Sequence, residues 1–147
     1  MGIFSALDIS ASGLTAQRVR MDTISQNIAN SSTTRTADGT PYRRREVVFE
    51  ERSDSNSFSQ ALENASSKLN GGNGVRVSSI VEDPTDFKKV YDPGHPDADA
   101  EGYVNMPNVD IVTEMVNMIS ATRSYEANVT SVNAIKSMAL KALEIGK

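Results

Sequence analysis

Four clusters in this chain carry residue types that could do chemistry. Asp97, Asp99, Glu101 and Gly102 follow the spacing that opens an EF-hand calcium loop, where alternating carboxylates converge on a hard cation and glycine makes the sharp turn. The twelfth position holds Asn108 where a bidentate Glu is needed, and Pro93 and Pro96 block an entering helix, so the spacing predicts an acidic turn and not a metal loop. His95 is the only histidine, which leaves no cluster for zinc and no Ser-His-Asp set; an exposed turn is its expected setting. Arg43-Arg44-Arg45 could hold an anion. Alternation along a strand divides the three between two faces, however, and Glu46, Glu50 and Glu51 nearly cancel their charge, so a solvated strand edge is expected. Gly71-Gly72-Asn73-Gly74 lacks the preceding strand and the Lys-Ser/Thr pair of a phosphate loop and reads as a turn. No catalytic, cofactor or metal residue is assigned, and the chain is not expected to be an enzyme.

Two long amphipathic stretches at the ends of the chain frame these clusters. Leu7, Leu14, Met21 and Ile28 recur every seven residues, with Ile3 and Ile24 on the adjoining stripe, and predict a helix from Ser5 to about Asn30. Ser5 and Asp8 have the spacing of a capping box. The alternate seam positions, Ala11, Arg18 and Ser25, make the stripe thin. A second helix is expected after Pro107, capped by Asn108 or Asp110 and running to Ile145 before Gly146. Its stripe, Ile111, Met115, Met118, Thr122, Tyr125, Val129, Val132, Lys136, Ala139 and Leu143, steps by four and three. Pairing the two stripes would bring the termini together and throw the middle outward.

Between them, Asp38-Gly39 and Pro41 mark a turn, and Tyr42 to Glu51 reads as a strand with Val47 and Phe49 on one face. Ser53 to Asn70 is rich in Ser and Asn, a loop with a short helical pattern at Phe58, Leu62, Ala65 and Leu69; residues 53–74 form the expected flexible segment. Val75 to Val81 is a strand whose alternation breaks at Ser78-Ser79, as at a bulge, and Phe87 to Tyr91 is another, followed by a stiff turn at Asp92-Pro93-Gly94-His95-Pro96. The fold class is therefore α+β: long terminal helices in a coiled-coil-like hairpin, residues 1–32 plus 106–147, with a small β-rich, loop-rich middle, residues 33–105.

Composition supports an assembly role. Of 147 residues, 38% are hydrophobic and 5% aromatic, with no Trp, so little material exists for a large core and neighbours are expected to supply part of the stability. The net charge of −4 is mild and gives no reason to expect nucleic acid. The absence of cysteine removes disulfides, thiol catalysis and thiolate metal sites together. Asp8, Ser10 and Ser12 interrupt the apolar residues of the N-terminus, so a cleaved leader is not expected, and no run approaches the roughly 20 apolar residues of a membrane span.

The residues of the two ends also resemble a known family. Ala6-Leu7-Asp8-Ile9-Ser10-Ala11-Ser12-Gly13-Leu14-Thr15-Ala16-Gln17, followed by Met21-Asp22-Thr23-Ile24-Ser25-Gln26-Asn27-Ile28-Ala29-Asn30, is similar to the N-terminal signature of the flagellar rod and hook family. Gln26 stands where the family usually has Asn. Met106-Pro107-Asn108-Val109-Asp110, Glu114-Met115 and Arg123-Ser124-Tyr125-Glu126-Ala127-Asn128 resemble the C-terminal helix of a proximal rod subunit, as do Val90 to Pro96 and Gly102-Tyr103-Val104. The resemblance implies a structural subunit of the bacterial flagellar basal body, exported by the type III apparatus without a cleaved leader and polymerised in the rod of the periplasmic space. Its implied partners are further copies of itself, rod proteins of the FlgB, FlgF and FlgG types and a FliE-type adaptor. The implied interface is the pair of terminal stripes: Leu7, Leu14, Met21, Ile24, Asn27, Ile28 and Asn30 with Ile111, Met115, Met118, Tyr125, Val129, Val132 and Leu143. A secreted helical binder or chaperone-type protein gripping one partner is the alternative; discrete stoichiometry with that partner would favour it over open-ended association.

Overall fold

A computed structural model describes residues 2–52 and 73–145 of the chain. The Ser53–Asn70 loop reading and the Gly71-Gly72 half of the glycine turn lie outside the described residues. Six elements follow in order: α1 (Ile3–Ala29), β1 (Arg45–Glu51), β2 (Val75–Glu82), β3 (Lys88–Tyr91), β4 (Tyr103–Met106) and α2 (Ile111–Ile145). The two helices run antiparallel, as an α+β hairpin should. Asn27 meets Glu114 at one end of the pair, Thr122 donates weakly to the Met21 sulfur at 3.7 Å, and Gly13 lies against Asn128 further along. A Cβ at Gly13 would sit 2.9 Å from the Asn128 amide nitrogen, so the glycine leaves the space that the Asn128 side chain occupies.

The face that α2 turns toward α1 is rotated from the predicted stripe. Glu114 and Ala121 are buried, while Met118, Tyr125, Asn128, Val132, Ile135 and Ala139 are half-buried. That set also steps by four and three, and it shares Met118, Tyr125, Val132 and Ala139 with the predicted stripe. The other predicted positions, Ile111, Met115, Thr122, Val129, Lys136 and Leu143, are exposed. On α1 the heptad residues Leu7, Leu14, Met21 and Ile28 are half-buried, whereas Ala16, Thr23, Ile24 and Asn27 are fully buried and Ala11, Arg18 and Ser25 face solvent. The predicted seam is one edge of a wider face, because α1 packs on α2 and on the β1–β2 ribbon together.

Helix α1 begins earlier than the capping-box pattern suggests. Gly2 occupies the cap position without a side-chain bond, and the Ser5 hydroxyl donates to the Gly2 carbonyl at 2.7 Å from within the first turn. At the other end Asn30 closes the helix: its backbone N–H and Nδ2 both reach the Gln26 carbonyl, and its Oδ1 accepts from the Thr33 hydroxyl. In α2 the cap is Asp110, whose Oδ1 accepts from the N–H groups of Val112 at 2.9 Å and Thr113 at 3.2 Å.

β1 and β2 pair antiparallel. Val48 faces Ser79 and Phe49 faces Val77, so Ser78 is the extra residue of a bulge where the alternation broke. β1 is shorter than the expected Tyr42–Glu51 strand, because Tyr42 turns inward and is buried. β3 pairs with β4, a strand the hydropathy pattern did not show. In β4 only Val104 is fully buried, and four residues leave little period to read. In the turn between β3 and β4, Asp99 makes local bonds and Asp97 reaches across to the loop after α1. Asp99 Oδ1 accepts from the N–H groups of Glu101 and Tyr103, and Asp97 Oδ2 accepts from the Thr34 hydroxyl at 2.8 Å. His95 is half-buried, with Nδ1 accepting from the Asp97 N–H at 3.1 Å, a closer setting than the exposed turn expected of it.

The ribbon is tied to α1 by Gly74, whose φ is +93°. There the Val75 N–H donates to the Ser12 hydroxyl at 3.0 Å, and a Cβ on Gly74 would fall 2.3 Å from the same oxygen. Gly74→Ala is therefore expected to lower stability by about 1–3 kcal/mol, through a strained positive φ and a displaced Ser12. Urea unfolding would check this. Adding Ser12→Ala should recover only part of the loss, since the backbone strain stays.

Candidate functional site

Among the described residues, buried polar groups gather where the end of α1, the start of α2 and the segment before β1 converge. Asn27 is fully buried and uses its whole amide. Its Nδ2 donates to the Glu114 Oε2 at 3.0 Å and to the Arg45 carbonyl at 2.8 Å. Its Oδ1 accepts from the Tyr42 hydroxyl at 2.9 Å and from the Arg45 N–H at 3.0 Å. The turn at Asp38-Gly39 and a bond from the Tyr42 N–H to the Thr33 carbonyl return the chain to this spot.

Glu114, 1% exposed, is a carboxylate in the first turn of α2, where the helix N-terminus favours negative charge. Its Oε1 accepts from Arg44 Nε at 2.9 Å. Arg44 also bonds Asp83 at 3.1 Å and Glu46, and its side chain is only 17% exposed. Burial alone would lower its pKa, but the bonds to Glu46 and Glu114 outweigh that and hold the guanidinium above its ordinary value. Of the Arg triplet, Arg45 is exposed at the start of β1 and lies 3.7 Å from Glu82, as a solvated strand edge would have it, but Arg43 and Arg44 depart from that expectation. Arg44 turns inward to neutralise Glu114, while Arg43 stacks over Phe87 at 4.5 Å and donates to the carbonyls of Asp83 and Thr85.

Asn108, weighed in the sequence as a helix cap, braces the node instead. Its Oδ1 accepts from the Arg44 N–H at 2.7 Å, and its Nδ2 donates to the Thr85 hydroxyl at 2.9 Å. Pro107 and Val109 on either side are buried. Burial raises the Tyr42 pKa, opposed by the Arg45 cation and assisted by Glu114 and Glu82. Asp83 is held below the usual carboxylate range, chiefly by the hydroxyl and N–H of Thr85 and then by Arg44, against a desolvation that works the other way.

Of the sequence-predicted site residues, the fold brings Ile24 and Asn27 to this node and sets Asn30 to close α1. Leu7, Leu14, Met21 and Ile28 lie half-covered along the hairpin with Met118, Tyr125 and Val132. Ile111, Met115, Val129 and Leu143 stay open to solvent, at 44%, 51%, 37% and 73% exposure. Val112, Val116 and Ile119 extend this outer face at 71%, 61% and 54%. Sequence reasoning missed Tyr42, Arg44, Asp83 and Asn108. The readable signal was Glu114, an acidic residue in step with Met118, Ala121 and Tyr125.

An open groove of about 310 Å³ beside the node is lined by Arg20, Ile24, Val47, Phe49 and Asn117 among others. Among the described residues no group of three metal-ligating side chains converges, and no helix is long and apolar enough to cross a membrane.

Paired terminal helices with an apolar outer face, locked by a polar node that serves architecture, are the features of a structural subunit. The comparisons agree. A family model described as "Flagella basal body rod protein" matches residues 7–35, and one described as "Flagellar basal body rod FlgEFG protein C-terminal" matches residues 100–145. The chain is similar to flagellar basal-body rod protein FlgC of Bacillus subtilis, at 55% identity over the whole of both chains. It is also 51% identical to that of Borreliella burgdorferi over 99% of this chain and 98% of the relative, and 43% identical to that of Salmonella typhimurium over the whole of both. The chain belongs to the FlgC family of flagellar basal-body rod proteins. It is a structural protein of the rod and not an enzyme, and the alternative of a soluble one-partner binder finds no support.

Two outcomes follow for the node. Arg44→Ala leaves Glu114 buried and uncompensated, and should cost about 3–5 kcal/mol in urea unfolding. Because the folded Asp83 pKa is depressed, the unfolded chain takes up the proton more readily. Its contribution is present above the ordinary carboxylate pKa of about 3.9 and is lost as pH falls through the folded value. Asp83→Asn should therefore lose less stability than wild type between neutral and acid pH, as read from unfolding midpoints.

Proposed function

We propose that the chain builds the proximal part of the rod by burying the outer face of α2 against axial neighbours. The observation that carries this is the apolar surface left uncovered by the hairpin: Ile111, Val112, Met115, Val116 and Ile119 on the first turns of α2. Phe4, Met138, Leu140 and Leu143, also exposed, stand at the helix ends nearest the termini. Surface of this kind on a monomer marks a contact site. Val129 and the half-covered Leu7, Leu14, Met21, Ile28, Met118, Tyr125 and Val132 complete the proposed contact set. Residues 1–32 and 106–147 would then form the axial core and residues 33–105 the outer module.

In this reading the neighbours are further copies together with rod proteins of the FlgB, FlgF and FlgG types and a FliE-type adaptor, reached after passage through the type III apparatus. Repeated use of one non-closing contact gives an axial assembly without a catalytic step. The stripe supports the reading because it lies on the side of α2 turned away from α1 and is exposed among the described residues.

Val116→Asp tests it. The residue is 61% exposed, so the folded monomer should keep its unfolding midpoint to within about 0.5 kcal/mol. A carboxylate trapped in an interface is costly, so the variant should be exported yet missing from purified basal bodies, and cells relying on it should not swim. Normal swimming would overturn the assignment of this face. By contrast, Met118→Asp should damage the hairpin itself, because Met118 is half-buried against α1.

A further inference from the structure

We propose that Asn27, Glu114 and Arg44 form a three-way latch that makes docking of the β1–β2 ribbon conditional on correct pairing of the two terminal helices. The inference rests on how the bonds are distributed. Asn27 belongs to α1, Glu114 to α2, and Tyr42, Arg44 and Arg45 to the segment that enters β1. Asn27 gives one amide proton to each of the other two parties, at 3.0 Å to Glu114 and 2.8 Å to the Arg45 carbonyl. Glu114 is neutralised by Arg44 at 2.9 Å, from the incoming segment and not from either helix.

Any two-way closure therefore strands a buried group. Helices paired without the segment leave Glu114 without its cation and Asn27 without the Tyr42 and Arg45 donors. The segment docked on α2 alone leaves Glu114 Oε2 and the Tyr42 hydroxyl unmet. Buried polar groups lose most when one partner is missing, so the partial states are penalised and the complete one is not. The fully buried apolar side chains of the two helices, Ala16, Ile24 and Ala121, are few, and the half-buried ones beside them pack without direction, so apolar packing alone does not impose that condition.

Hydrogen exchange on the full-length purified chain tests the latch independently of any role in the rod. In wild type, amides of Ala16–Ile28, Arg45–Phe49 and Met115–Ala121 should exchange through one shared opening. Asn27→Ala should split them, with the β1 amides opening at least about tenfold more often than those of the helices, the scale of one lost buried hydrogen bond. Val104→Ala, which thins the packing of β4, should weaken the protein without that split. A wild type already divided or unprotected in these segments, or an Asn27→Ala chain that still opens as one unit, would overturn the latch.

Should Asn27→Ala fail to fold, Tyr42→Phe removes one of the four bonds and should give the same split by a smaller factor; a single shared opening there overturns the proposal equally. Asn27→Asp adds a signature that loss of volume cannot mimic. The groups around that position are Glu114 from α2, Tyr42, Arg44, Arg45 and Glu46 from the incoming segment, Glu82 at the end of β2 and Asp83 just after it. The introduced carboxylate would lie next to Glu114 in place of a donor, so the fold should prefer it protonated. Its stability relative to wild type should be greatest in acid and fall as pH rises. A relative stability that rises with pH would count against the geometry.

Discussion

The buried contact between the Asn27 amide and the Glu114 carboxylate is the constraint on which the rest of this molecule depends. A carboxylate 1% exposed needs a cation and donors at fixed positions. The cation is Arg44, so the chain after α1 must turn back to deliver it. The donor is Asn27, so the end of α1 must lie beside the start of α2 and not one turn away. Asn108 and Asp83 then hold the Arg44 backbone and side chain. Where the buried apolar residues among those described are Ala16, Ile24, Tyr42, Val104, Val109 and Ala121, such directional bonds fix register that hydrophobic area alone would leave loose.

The two helices carry unequal burdens. α1 is covered on two sides, by α2 and by the ribbon, which is why small residues recur on it and Gly13 and Ala16 stand at contacts. Among the described residues, α2, 35 residues long, is covered along one face only. Its opposite face bears branched and sulfur-containing side chains in solvent over the first turns. Apolar side chains left in solvent in this way are the basis on which the face is proposed as a contact surface.

The resemblance motifs acquire physical meaning from this geometry. In Asn27-Ile28-Ala29-Asn30 the first Asn is the hub of the node and the second closes the helix through Gln26 and Thr33. In Met106-Pro107-Asn108-Val109-Asp110, Pro107 and Val109 are buried, Asn108 braces Arg44 and Asp110 caps α2. These residues are there for turns and junctions, which hydropathy does not record.

The sequence by itself determined the existence, extent and period of both long helices, the hairpin, the bulge at Ser78 and the assembly character of the chain. These follow from local periodicity, backbone preference and composition, which act within a few residues. It did not determine which phase of the α2 stripe faces inward. Ile111, Met115, Val129 and Leu143 made the more apolar phase, but close helix approach selects small or hydrogen-bonding side chains, so Glu114, Ala121 and Asn128 face α1 instead. Nor did it reveal that Arg44 leaves its neighbours in the triplet to meet a carboxylate 70 residues away. That choice belongs to the tertiary structure, because the free energy of a buried charge depends on what surrounds it in space and not on what adjoins it in the chain.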